Sequence, residues 1–151
     1  MKASDAALWM ARCRIAFGAA FVLAPGLSGR LWIGDDAKRP AVKVLTRALG
    51  ARDIAIGLGV AIALDRGTPV RGWLEAAALS DAVDLLATLL GGRSIPDDAR
   101  KVVAAGAAGS AVAGVALARA LDEPPEPGEV HAAEATLTGH PPASGAQPPA
   151  S

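Results

Sequence analysis

The sequence predicts an all-α protein: a four-helix transmembrane up-and-down bundle followed by a disordered, acidic, proline-rich C-terminal tail. Three observations carry that expectation. Hydrophobic residues make up 52% of the 151, while aromatics are only 3% and tyrosine is missing altogether. The apolar content is therefore mostly Ala, Leu, Val and Gly. No stretch alternates apolar and polar residues with period two over a useful length, so the strand signature is missing. Prolines and glycines instead divide the body into four segments, each long enough for a helix.

Segment one runs from about Asp5 to Ile33 and has Pro25 inside it. A proline there removes a backbone donor and crowds the preceding turn, which predicts a kink near Phe21–Pro25. Gly34-Asp35-Asp36 makes a loop, and Pro40 suits the first turn of segment two, Ala41 to Leu64. Asp65-Arg66-Gly67 ends that helix. Thr68-Pro69 reads as an N-cap with a first-position proline for segment three, Pro69 to Leu90. Gly91-Gly92 stops it. Segment four begins around Pro96-Asp97-Asp98, whose acids suit a helix N-terminus, and runs to Leu121. Short connections make neighbouring helices antiparallel.

Charge separates this body from the tail. The chain is formally neutral, with 15 basic and 15 acidic residues, yet every base lies within residues 1–121. Residues 122–151 hold Asp122, Glu123, Glu126, Glu129 and Glu134, with seven of the eleven prolines. Such a segment buries too little apolar surface to offset its ordering entropy, so it is expected to be disordered. The domain organisation is a helical body over 1–121 and a tail over 122–151.

Hydropathy and patterning place the body in a bilayer. Val102 to Ala118 is 17 residues without a charge, and Ile15 to Gly29 is also uncharged. Segments two and four are apolar around most of the helix, whereas a surface helix in water needs a broad polar face. Trp9 and Trp32 stand 23 positions apart, about 34 Å along a straight helix, which matches two interfacial rings flanking a hydrocarbon core. Gly106, Ser110 and Gly114 recur every fourth residue, a small-residue stripe that lets helices approach closely. The expected location is the cell membrane, multi-pass. Eight bases in loops one–two and three–four against six on the other side point both termini outward.

Charges inside such helices are costly and normally face the bundle interior. The set is Arg52 and Asp53 in segment two with Asp81 and Asp84 in segment three. Asp81 and Asp84 share a face, three residues apart. Gly50 and Gly57 flank Asp53, so a neighbouring helix is expected to come close there, and the Asp81–Asp84 face is the expected partner. In one reading Arg52 neutralises the aspartates and pins this helix pair in register. In the other, crowded carboxylates hold a proton or cation.

Other signals are set aside. Gly57-Leu58-Gly59 lacks both the strand and the third glycine of a nucleotide-binding fingerprint. His131 and His140 lie in the tail, which leaves nucleophilic catalysis in the body without a histidine base. Cys13, the one cysteine, reads as a small buried residue. Metal ligands are not clustered outside the aspartates, and the bases form no stripe interleaved with aromatics, so neither a metal, another cofactor nor nucleic acid is expected.

The motif Gly50-Ala51-Arg52-Asp53, then Gly57-Leu58-Gly59 and Ser80-Asp81-Ala82-Val83-Asp84, resembles a family of small bacterial membrane proteins. The family is common in actinobacteria and has four predicted spans and a G-x-R-D…G-x-G signature. The resemblance covers roughly residues 10–120 and implies a fold and a location but no activity. The 36 alanines fit GC-rich coding. The function expected on these grounds is a non-enzymatic structural or interaction subunit whose partners are the lipid bilayer and another membrane protein or a second copy. A proton-coupled or small-solute carrier using the aspartates is the alternative. A soluble helical-bundle interaction domain is the second, and a lipid-acting enzyme is disfavoured by the missing base and nucleophile.

Overall fold

The computed structural model describes residues 2–92 and 95–122. The expected tail, with both histidines, lies outside the described residues apart from Asp122. Among the described residues there are five α-helices and no strand: α1 (Ala3–Leu23), α2 (Pro25–Ile33), α3 (Pro40–Asp65), α4 (Arg71–Leu90) and α5 (Asp97–Ala120). A 3-10 turn, Gly34–Lys38, joins α2 to α3.

Segment one is two helices, not one kinked helix. Ala24 leaves helical geometry at φ −127°, ψ 55°, and Pro25 opens α2 at a position where its missing N–H would have had no partner. Ser28 Oγ donates to the Ala20 carbonyl at 2.9 Å and ties the two helices across the break. The estimate of a straight path from Trp9 to Trp32 therefore fails. Trp32 turns back into the protein, where its Nε1–H donates to Thr88 Oγ1 at 3.1 Å. Trp9 and Trp73 point outward instead, 65% and 43% exposed.

The start of α4 also differs from expectation. Thr68 does not cap it; its N–H bonds to the Ala63 carbonyl at 2.9 Å and closes the end of α3. The helix begins three residues later. Gly92, at φ +52°, takes the left-handed turn after α4 that favours glycine.

The four long helices alternate in direction and pack as two close pairs, α1 with α3 and α4 with α5, with sparse contact between the pairs. One apolar cluster joins them at the end where α1 begins. It contains Ala7 and Ala11 of α1, Val60 and Ala63 of α3, Leu74 of α4 and Ala118 of α5. Leu74 is fully buried there, which is worth about 1.5–3 kcal/mol of transfer free energy.

Among the described residues two helices, not four, are long and apolar enough to cross a membrane: α1 and α5. Arg52 and Asp53 interrupt α3, while Glu75, Asp81 and Asp84 interrupt α4. Neither apolar helix is enclosed by the others. Only 22% of the apolar window of α1 and 11% of that of α5 are buried, and Phe17 and Leu23 of α1 and Val102 and Val112 of α5 are largely exposed.

Candidate functional site

Asp53 does sit between two glycines at a close helix approach, but the approaching helix is α1, not α4. A Cβ on Gly50 would lie 2.5 Å from the Gly18 carbonyl oxygen, and one on Gly57 would lie 2.8 Å from that of Ala11. The small residues of α3 face the small residues of α1, because only there can two backbones touch. The expected meeting of the Gly50–Gly57 face with the Asp81–Asp84 face is therefore corrected.

At the same seam lies a residue that the sequence reading passed over. Arg14 has a side chain only 8% exposed, and its Nη1 donates to Asp53 Oδ1 at 2.8 Å. Its Nη2 donates to Asp81 Oδ2, so one guanidinium joins α1, α3 and α4. A signal for it was present. Ala7, Ala11, Arg14, Gly18 and Phe21 recur at spacings of four and three on one face of α1, and a lone arginine on such a face has to be paired. Its neighbour Arg12 is exposed.

Arg52 holds Asp84 with two parallel bonds, Nη1 to Oδ1 at 3.1 Å and Nη2 to Oδ2 at 2.7 Å. Its Nη2 also reaches Asp53 Oδ1 at 3.1 Å, but no contact runs from Arg52 to Asp81 among the described residues. The neutralising role expected of Arg52 is thus divided between two arginines. Arg52 is the more open of them, its side chain 28% exposed. Its Nε is buried with no hydrogen-bond partner among the described residues.

The small-residue stripe on α5 splits three ways. Ser110 Oγ donates to Asp81 Oδ2 at 2.6 Å and brings the fourth long helix into the network. Gly114 is a packing residue, since a Cβ there would stand 3.1 Å from that of Ala78. Gly106 packs against nothing within 4 Å of a Cβ. On α3, Gly57 and Gly59 lie inside the helix and open different sides of it. Gly57 admits α1, and a Cβ on Gly59 would overlap the Trp73 ring at 2.3 Å.

The network faces a groove of about 910 Å³ between α1 and α2 on one side and α5 on the other. Phe17, Phe21, Trp32, Val102 and Val103 line its walls, and all five network charges border it. Cys13 lines the same groove and is exposed, which corrects its reading as a buried residue. It lies one position from Arg14 on α1 and so faces the gap beside the seam. Three carboxylates and two guanidiniums leave one negative charge in excess when all are ionised. Such a buried network adds little net stability, because desolvation offsets attraction, but removing one partner is expensive.

No family model, curated protein or solved structure matches the chain.

Proposed function

We propose that the chain is an integral membrane bundle that acts as a structural or interaction subunit, with its charges gathered inside and its apolar faces turned to lipid and to a partner helix. One observation carries this reading: polarity runs inward. The apolar helix α5 has 11% of its window buried, whereas the side chains of Arg14, Asp53 and Asp81 are at most 13% exposed. In water this arrangement leaves an apolar surface of the kind that drives association. In a bilayer the same surface is solvated by lipid, and the charges sit where intramembrane charges are found.

Of the charges that exclude α3 and α4 as spans by composition, Arg52, Asp53, Asp81 and Asp84 are paired inside the fold. That pairing supports four crossings. Trp9 and Trp73 sit at the end of the bundle marked by the apolar cluster and suit a headgroup region there. The opposite end carries Arg30, Lys38, Arg39, Lys43 and Arg47, which supports the inward orientation of that end. A carrier path along the bundle would have to pass the packed cluster around Leu74, and this favours the subunit role.

Membranes washed in alkaline carbonate are expected to retain the protein in the pellet. Release into the supernatant would replace this reading with a soluble helical bundle. Purification from the pellet in mild detergent is expected to bring down a stoichiometric partner or a second copy. A lone monomer would remove the subunit role.

A further inference from the structure

The groove between α1 and α5 has a property that packing does not require. Its lining includes Arg14, Arg30 and Arg52 against Asp53, Asp81, Asp84 and Asp98, a balance of one negative charge. The free acceptors belong to side chains that are mostly buried but border the groove, Asp53 at 13% and Asp81 at 10% exposure. Asp53 Oδ1 takes both Arg14 and Arg52, and Asp81 Oδ2 takes both Arg14 and Ser110. Asp53 Oδ2 and Asp81 Oδ1 have no hydrogen-bond partner among the described residues, yet neither is sealed from solvent, in contrast to Arg52 Nε. Phe17 and Phe21, ring centroids 4.9 Å apart, and Trp32, whose ring is tilted against that of Phe21, line the same groove as these carboxylates. Aromatic faces beside an excess carboxylate attract a positive charge. The groove's size suits one small organic molecule.

We propose that this groove is a binding site for a lipophilic monocation, a protonated amine on a small aromatic or alkyl body. The ammonium sits against the open oxygens of Asp53 and Asp81, and the apolar body lies between the Phe17–Phe21 wall and the Val102–Val103 side of α5. The assignment is independent of any partner subunit.

The test uses the purified full-length chain, with 4-phenylbutylammonium as probe and 4-phenylbutanol as its uncharged counterpart, followed by calorimetry against a detergent blank. The amine is expected to bind about tenfold or more tightly than the alcohol, whose hydroxyl can still donate to a carboxylate but brings no charge of its own. It is also expected to slow maleimide labelling of Cys13, which lines the groove. Asp81→Asn is expected to remove the preference for the amine. Gly106→Leu leaves every charge in place and projects from a position with nothing within 4 Å of its Cβ, so it fills the groove without disturbing the helices and stays readable if Asp81→Asn fails to fold. It is expected to weaken the amine by a similar factor. Equal binding of amine and alcohol, or wild-type affinity in Gly106→Leu, would overturn the proposal.

Discussion

Arg14 and Asp53 meet across the α1–α3 seam at 2.8 Å, about one helical turn from where Gly18 and Gly50 bring the two backbones into contact. The closeness of the backbones and the ion pair depend on each other. Without side chains at Gly18 and Gly50, the guanidinium can lie flat between the helices and still reach Asp81 on α4.

Arg14→Ala is therefore expected to be the most damaging change in the network. It strips a partner from both Asp53 and Asp81 while leaving them buried, a loss of about 3–5 kcal/mol. Arg52→Ala is expected to lose less, on the order of 1–3 kcal/mol, because its side chain is partly open and water can replace it at Asp84. Unfolding midpoints of the two variants in the same detergent check the order. Equal midpoints, or a reversed order, would return the central role to Arg52.

The glycines divide by what lies opposite each. A Cβ at Gly50 meets a backbone oxygen at 2.5 Å, and backbone cannot rotate aside, so Gly50→Ala is expected to cost about 1–3 kcal/mol by overpacking. Gly106→Ala meets nothing within 4 Å and is expected to be neutral or to stabilise by about 0.5–1 kcal/mol through helix propensity. Thermal unfolding of both variants decides; a loss at Gly106 would mean that this face is covered.

Much of this architecture was legible because its signals are local. Pro40, Gly91 and Asp97 each act on the few residues around them, so the bounds of α3 and α5 and the end of α4 could be read off the chain, while the start of α4 fell at Arg71 and not at Pro69. Pro25 marked the right place, although its consequence was a full break, since Ser28 supplies the bond that lets the chain turn there. Pairing between helices was much less legible. Gly50, Asp53 and Gly57 announced a close neighbour but not which one, because a glycine accepts any small face. Arg14 stayed hidden because its position near a segment end allowed it to be read as a flanking charge. Its burial depends on α3 and α4, residues 39 and 67 positions away.

Trp9, Trp32 and Trp73 should respond differently to brominated lipid. In single-tryptophan variants reconstituted into such bilayers, the outward rings of Trp9 and Trp73 are expected to be quenched. Trp32, bonded to Thr88 inside the protein, is expected to keep most of its emission. Strong quenching of Trp32 with none of the other two would contradict the membrane reading and the packing of α2.

The turn between α2 and α3 gives a pH prediction outside the helices. The hydrogen bond from Lys38 to Asp35, then the charges of Lys38 and Arg30, hold the Asp35 carboxyl below its ordinary value of 3.8. A depressed carboxyl contributes stability above its unfolded pKa and loses it as pH falls through the folded one. Asp35→Asn should therefore leave stability unchanged on the acid side below the folded pKa and lower it slightly at neutral pH. The group is exposed, so added salt should reduce the difference. Parallel titrations of both proteins check this, and a difference confined to alkaline pH would refute it.

The network also decides whether the two helix pairs hold together. Between them run Arg14 to Asp81, Arg52 to Asp84 and Trp32 to Thr88, together with an apolar cluster whose fully buried α1 members are alanines, with Met10 partly buried beside them. Alanine buries little area, so the cost of leaving a buried guanidinium without its carboxylate, rather than any large net gain from the paired charges, should decide whether the pairs stay joined. A specific protease site placed in the exposed loop between Asp65 and Val70 turns this into a measurement, because cutting there separates α1–α3 from α4–α5 covalently. Wild-type halves are expected to co-purify after cleavage. With Asp81→Asn and Asp84→Asn combined, each pair keeps its own close packing and helical content, but the halves are expected to come apart on dilution in detergent. If the cleaved double variant stays together as firmly as the wild type, the cluster around Leu74 is sufficient by itself, and the charges serve the groove more than the join.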